Sequence, residues 1–144
     1  MNLAFMWHIV GDGSERARVE MLITENALKD YVILEGSKTN PYPYMKYADL
    51  FVHPSYIESQ GLTVLEAMTL GVPCVVTKSR GPCEFIKDGV NGLLTEQSPE
   101  SLTEKVLSIL TDKTLYQSIK ENTVCPEQFG PDRVMKQIEE LIDG

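Results

Sequence analysis

Residues 50–77 read LFVHPSYIESQGLTVLEAMTLGVPCVVT, and this stretch decides the predicted fold. Two short apolar runs, 50–52 and 73–77, flank a segment of helical periodicity over 62–70 that Gly71 and Pro73 close. Neither run alternates apolar with polar residues, which is typical of strands buried on both faces of a parallel sheet. The stretch therefore predicts a strand–helix–strand unit of an α/β protein.

The same alternation of strands and helices extends outward in both directions. Further strands are predicted at 7–10, 31–34 and 93–94. Further helices are predicted from Ser14 to about residue 28, over 44–48, from Ser98-Pro99 onward, and from about Asp132. In the first of these, Ser14 is the expected cap and Ala17, Met21 and Leu28 are the expected inward side chains. We expect a Rossmann-like parallel sheet with helices on both faces, in a single domain over residues 1–144.

Composition narrows the class of protein. The 144 residues carry a formal net charge of −8, which argues against a general nucleic-acid-binding surface. No apolar run reaches the ~20 residues needed to span a bilayer. The three cysteines lack metal-ligand spacing and favour a reducing compartment. We expect a cytoplasmic protein without a transmembrane segment, held at the inner membrane face, if at all, through a partner.

Most candidate ligand-binding residues lie between the strand at 50–52 and the start of the helix at 62–70. Parallel α/β sheets bind ligands beyond the carboxyl ends of their strands, and this loop places backbone amides and a helix N-terminus there. Glu58 in the loop and Glu66 in the helix bracket this anion site and can accept hydrogen bonds from hydroxyl groups. A phosphate and a polyol recognised side by side indicate a nucleotide sugar.

With Glu58 and Glu66, the chain resembles the retaining GT-B glycosyltransferases of family 4, whose E-x7-E pair has this spacing. Five further segments match the family in order: Gly11-Asp12-Gly13, Ala48-Asp49-Leu50-Phe51-Val52, Glu66-Ala67-Met68 with Gly71-Val72-Pro73, Gly81-Pro82-Cys83-Glu84, and Asn91-Gly92-Leu93-Leu94. The ordered set is far more specific than the glutamate pair alone.

The resemblance implies a role for each residue of the loop and helix start. It implies that Glu58, the residue we assign as catalytic, positions the donor sugar and that Glu66 binds the ribose. The amides of Gln60 and Gly61 would meet the sugar, and those of Leu62 and Thr63 the diphosphate. Ser59 replaces a glycine found in many members. Further candidates are Gly36, Ser37 and Glu84. The family needs no cofactor and no obligatory metal, and the chain has no DxD motif.

The chain departs from the family pattern at its beginning. The strand with a Gly-Arg pair and the following lysine, which grip the diphosphate in the family, have no counterpart ahead of Met6, nor has an acceptor-binding lobe. We therefore expect an amino-terminally truncated donor-binding half that is inactive alone and that self-associates or needs a partner lobe. A fragment, a truncated gene product and a split-enzyme subunit remain open, as do the donor sugar, base and acceptor.

The sequence also allows two other interpretations of the chain's function. A non-catalytic remnant that binds nucleotide or protein is one alternative. A dinucleotide-binding domain is another, suggested by Gly11-Asp12-Gly13 and by Glu35 as a ribose-binding acid, but Arg16 replaces the third glycine of that fingerprint. A turn-and-cap role fits residues 11–14 better than ligand contact. His53 is interpreted as structural or incidental, and Cys74 as a core residue.

Overall fold

The computed structural model describes residues 4–124 and residue 130, and divides the chain into two compact units, residues 1–44 and residues 45–144. The helix predicted from about Asp132 lies outside the described residues. None of the described helices is both long enough and apolar enough to cross a membrane. All pairs of named strands are parallel, which confirms the predicted α/β class.

The first unit contains a parallel pair of strands and one full helix. Its elements are β1 (Trp7–Val10), α1 (Arg16–Glu25) and β2 (Val32–Gly36), and the division between the units falls inside α2 (Tyr42–Lys46). β1 pairs with β2 in the register Trp7 with Val32. Every residue of β1 is exposed and α1 has no buried residue, so the expectation of strands covered on both faces is wrong for this unit.

The boundaries of α1 differ from the prediction for local reasons. Glu15, not Ser14, is the N-cap residue, and its side chain makes no capping hydrogen bond. The helix ends at Glu25 because Asn26 bonds the carbonyl oxygen of Leu22 and Ala27 adopts a left-handed backbone with φ of 54°. The expected inward residues Ala17, Met21 and Leu28 are all exposed, whereas Val19 and Ile23 are half-buried.

The second unit is built on a three-stranded parallel sheet in the order β3-β4-β5. Its elements after α2 are β3 (Phe51–His53), α3 (Leu62–Thr69), β4 (Cys74–Thr77), α4 (Arg80–Cys83), β5 (Leu93–Thr95), α5 (Pro99–Thr111) and α6 (Lys113–Asn122). Ser98 caps α5 as predicted, with its side chain accepting from the Ser101 amide. The central strand β4 is buried along its whole length, as the unbroken apolar run predicts.

Helices cover both faces of this sheet. Cys74 and Val76 of β4 belong to a core cluster on the α3 side that includes Val64, Ala67 and Met68. Val75, which points to the opposite face, belongs to a second cluster with Leu93, Ile109 and Ile119 on the α5 and α6 side. The sheet is therefore a middle layer that presents the carboxyl ends of three strands at one edge.

Two helices of this unit escaped the sequence prediction. α4 is a single turn within the loop after β4. α6 is capped by Asp112, whose carboxylate accepts from the amides of Thr114 and Leu115, and the helix buries Ile119 completely. The Asp cap followed by apolar residues at 115, 116 and 119 was a readable signal for α6.

Candidate functional site

The loop from Pro54 to Gly61 leaves the carboxyl end of β3 and is fastened through its main-chain carbonyls. The Thr77 hydroxyl donates to the carbonyl oxygen of Ser55. The Gln97 side-chain amide donates to the carbonyl oxygen of Tyr56 at 2.8 Å and to that of Lys78 at 2.9 Å. The loop is thus tied to the ends of β4 and β5, although Tyr56 and Ile57 themselves project into solvent, at 67% and 91% exposure.

A glycine in α4 lets the loop approach at backbone contact distance. The amide of Gly81 donates to the carbonyl oxygen of Glu58 at 3.2 Å. A Cβ atom at Gly81 would lie 2.5–2.7 Å from the backbone atoms of Gln60. Gly61 closes the loop with a left-handed φ of 70° and packs against Pro82 and Phe85. The local sequence therefore fixes the position of Glu58 and of the start of α3.

The two oxygens of the Glu58 carboxylate have different neighbours. Oε1 accepts from the amides of Gly61 at 2.9 Å and of Gln60 at 3.1 Å, and Oε2 lies 3.4 Å from Nε2 of His53. The Gly61 and Gln60 hydrogen bonds, and then the neighbouring His53, hold the pKa of Glu58 below its ordinary value, although partial burial opposes them. Glu58 is accordingly an ionised hydrogen-bond acceptor at neutral pH.

The amides of Gln60 and Gly61 are engaged by the protein itself. The sequence interpretation gives both amides to the sugar, whereas in the structure both donate to Glu58. A carboxylate has about four lone-pair sites, and two on Oε1 are occupied. Oε2 accepts no hydrogen bond from these amides and lies beside Nε2 of His53.

The N-terminus of α3 offers donors at its open end. Val64 and Leu65 donate to the Gly61 carbonyl oxygen, whereas the amides of Leu62 and Thr63 have no hydrogen-bond partner within the part of the chain that the structure describes. Both residues are exposed. Because the first amides of a helix carry partial positive charge, this end is suited to an anion.

Glu66 and Glu84 lie on helices next to this loop. Glu66 is half-buried on α3, four residues after Leu62 and so on the same helix face. Glu84 is exposed at the end of α4, three residues after Gly81. The structure thus gathers Glu58, Ser59, Gln60, Gly61, Leu62, Thr63 and Glu66 on one loop and helix, and places Glu84 on the helix that packs against that loop.

Gly36 ends β2 and Ser37 follows it, both within the first unit. Gly36 has a left-handed φ of 71°, and its carbonyl oxygen accepts from Gly11 at 2.9 Å. Beside them Glu35 is held by His8 at 2.9 Å, by Tyr44 at 3.0 Å and by Lys38 at 3.1 Å. Hydrogen bonds from His8, then Lys38, keep the pKa of Glu35 below its ordinary value. The acid that the dinucleotide interpretation needs for ribose is therefore already occupied.

Sequence reasoning did not find the contact between His53 and Glu58. The imidazole is 19% exposed and lies parallel to the Phe51 ring, with centroids 6.2 Å apart. The only available signal was that His53 ends β3 and Glu58 follows in the same loop. Two shallow surface depressions elsewhere, one along α6 and one between α1 and β2, contain none of these residues.

Sequence comparison relates this chain to known proteins. Residues 2–124 match the sequence profile of the family described as Glycosyl transferases group 1. The chain is 31% identical over 136 residues to N-acetyl-alpha-D-glucosaminyl L-malate synthase of Bacillus anthracis, covering 92% of this chain and 36% of that protein. It is 32% identical over 140 residues to poly(ribitol-phosphate) alpha-N-acetylglucosaminyltransferase of Staphylococcus aureus, covering 93% of this chain and 28% of that protein.

Solved structures give the same result for the fold. The crystal structure of Anabaena HepE in complex with UDP superimposes with a TM-score of 0.86 at 28% identity, covering 96% of this chain and 41% of that one. HepE in complex with UDP-glucose gives 0.81 at 29% identity, covering 96% and 40%. The chain thus has the fold of a GT-B glycosyltransferase, and it spans between a quarter and a half of the length of these proteins.

Proposed function

Because this chain belongs to the glycosyl transferases group 1 family, within the GT-B superfamily, we propose that it is the donor-binding half of a retaining family 4 glycosyltransferase. Its substrate is a nucleoside-diphosphate hexose, used in the synthesis of a glycan or cell-surface polysaccharide. The observation that carries the proposal is the ionised carboxylate of Glu58, held by loop amides directly ahead of an open helix N-terminus.

The diphosphate is assigned to the start of α3. The amides of Leu62 and Thr63 point out of the helix end and carry its partial positive charge. An exposed helix end contributes only ~0.3–1 kcal/mol for each charge, so these amides orient the diphosphate more than they bind it tightly. Relatives solved with UDP support a nucleoside diphosphate as the ligand class.

The two glutamates bind opposite ends of the donor, the ribose and the sugar. Glu66, one turn inside α3, accepts hydrogen bonds from the ribose hydroxyls. Glu58 accepts from a hydroxyl of the donor sugar through Oε2, since Oε1 is occupied by Gln60 and Gly61. Ser59 and Glu84 are assigned to the wider donor-binding surface of the second unit, and Gly36 and Ser37 of the first unit are kept as separate candidates from the sequence.

Transfer itself needs an acceptor held against this donor. The bond between the anomeric carbon and the diphosphate oxygen breaks, its electron pair leaves with the nucleoside diphosphate, and the acceptor hydroxyl oxygen bonds the carbon and loses its proton. Holding two reactants in place supplies up to ~7–11 kcal/mol of a barrier. We therefore propose that this chain binds donor weakly and shows no transfer without an acceptor-binding lobe, from a partner or another part of the protein.

Calorimetric titration with UDP-glucose and with UDP tests this division of roles. Hydrogen bonds to a charged group are worth about 1.5–3 kcal/mol, so Glu66→Ala should weaken both ligands roughly ten- to hundredfold. Glu58→Gln keeps an acceptor for Gln60 and Gly61 but removes the carboxylate, so it should weaken UDP-glucose and leave UDP nearly unchanged. Glu104→Ala, at an exposed position of α5, is the matched control.

Two results would contradict the proposal. If Glu66→Ala binds UDP as the parent does, the ribose assignment is wrong. If Glu58→Gln weakens both ligands equally, the roles of the two glutamates are wrongly divided. Once an acceptor-binding lobe restores transfer, the anomeric configuration of the product, read by NMR, decides between retention and inversion.

A further inference from the structure

His53 is the one candidate near the loop whose geometry the proposed function does not use. It ends β3 and pairs with Val76 of β4, so its backbone is fixed at the sheet edge. Its ring lies against Phe51 at an interplanar angle of 16°. Backbone and ring are therefore both fixed where the loop begins.

The Nε2 atom of this ring is buried and unusually placed. Among the described residues it has no well-formed hydrogen-bond partner, yet it lies 3.4 Å from Oε2 of Glu58. A buried ring nitrogen without a partner is costly, and an Nε2–H that faces Oε2 at 3.4 Å makes a long contact with an ionised acceptor, which a neutral N–H donor can also make. The same oxygen is the one that the loop amides do not engage, since both donate to Oε1.

We infer that His53 is a positioning residue, which fixes the Oε2 atom of Glu58 in the orientation that meets the donor sugar. The inference rests on the proposed function for its ligand, but its physical claim concerns two side chains of this chain. The loop amides fix one carboxylate oxygen and His53 fixes the other, so the plane of the carboxylate is set from both sides. If the Glu58 carboxylate were fixed only at Oε1, it could rotate about that oxygen, and Oε2 would no longer face a sugar hydroxyl.

Two substitutions separate positioning from simple packing. His53→Leu keeps an apolar side chain beside Phe51 but removes the donor nitrogen. His53→Gln restores a neutral N–H donor at a similar reach. A packing role would make Leu the better replacement, whereas a positioning role makes Gln the better one. Thermal unfolding of each variant by circular dichroism establishes that both fold.

The first measurement needs no ligand. The side-chain carboxyl carbon of Glu58 is followed by NMR through an acid titration of the parent and both variants. His53 lowers the pKa of Glu58 both as a neighbouring charge and as a nearby polar donor, and Gln can replace only the second effect. We expect the midpoint of Glu58 to rise in His53→Leu and to rise less in His53→Gln. A midpoint unchanged in His53→Leu would overturn the inference.

The second measurement is calorimetric titration with UDP-glucose and with UDP. We expect His53→Leu to weaken UDP-glucose by about two- to fivefold, the effect of losing one partly screened charged contact, and to leave UDP unchanged. His53→Gln should bind UDP-glucose nearly as the parent does. Equal losses for both ligands would show a merely structural role. If the parent binds neither ligand, the proposed function is wrong, while the Glu58 midpoint still decides whether His53 acts on the carboxylate.

Discussion

Gly81→Ala is the substitution whose effect the structure defines most closely. The new methyl group would meet three backbone atoms of Gln60 at 2.5–2.7 Å, whereas ordinary Cβ contacts lie at 3.4–4 Å. Because these atoms are main chain rather than the end of a flexible side chain, the whole loop must move by nearly 1 Å or α4 must tilt. Overpacking of this kind costs ~1–3 kcal/mol. We expect a loss of this size in the free energy of unfolding.

The same displacement should also reach ligand binding. Gly81 bonds the carbonyl oxygen of Glu58, and Gln60 holds its carboxylate, so a loop moved by ~1 Å misplaces the acceptor for the donor sugar. A misplacement of this size can cost about 100-fold in catalysis, and we expect UDP-glucose to lose more affinity than UDP. Gly13→Ala is the matched control, since a Cβ there would meet no atom within 4 Å.

Urea denaturation of the two variants measures the loss of stability, and calorimetry measures the loss of affinity for UDP-glucose and UDP. The reasoning would be refuted by a Gly81→Ala variant that unfolds at the same urea concentration as Gly13→Ala and binds UDP-glucose equally well. Such a result would mean that the loop and α4 separate readily, and that neither the position of Glu58 nor the start of α3 depends on their contact.

Two further predictions follow from the ionisation states of single side chains. The pKa of Glu58 is lowered in the folded protein, so its contribution to stability is present above the ordinary carboxyl pKa and is lost as the pH falls through the folded value. The unfolding free energies of the parent and Glu58→Gln should therefore converge as the pH is lowered. A difference that stays constant with pH would contradict this. Burial raises the pKa of the Cys74 thiol to about 12, whereas Cys83 is exposed. Iodoacetamide should therefore modify Cys83 and leave Cys74 unmodified until the protein is unfolded, which peptide mass spectrometry would measure.

The sequence predicted best where one physical effect dominates. The limits of α3 and β4 followed from an apolar helix closed by glycine and from an unbroken apolar strand, and Ser98 with Pro99 marked the start of α5. These signals are local and tertiary contacts reinforce them. In α1 the apolar side chains are spaced without a strong face, so the prediction that Met21 and Leu28 point inward had little support and was wrong.

The site was predictable in composition but not in geometry. Glu58, Glu66 and the amides around Gly61 could be found because their order along the chain resembles a known pattern. That Glu58 would engage the amides of Gln60 and Gly61, and that His53 would lie on its other oxygen, depends on how the loop folds back. Sequence spacing carries no information on that turn, because the left-handed Gly61 and the close approach at Gly81 set it.

The way in which the 54–61 loop is fastened bears on how such a protein can be re-engineered. The acceptors are carbonyl oxygens of Ser55, Tyr56 and Glu58, and every amino acid supplies a carbonyl oxygen. The anchoring is therefore indifferent to which side chains stand at Tyr56 and Ile57, both of which face outward. A combinatorial library at these two positions would vary the exposed side chains of the 54–61 loop while its backbone stays unchanged. The loop is therefore a suitable starting point for directed evolution of specificity.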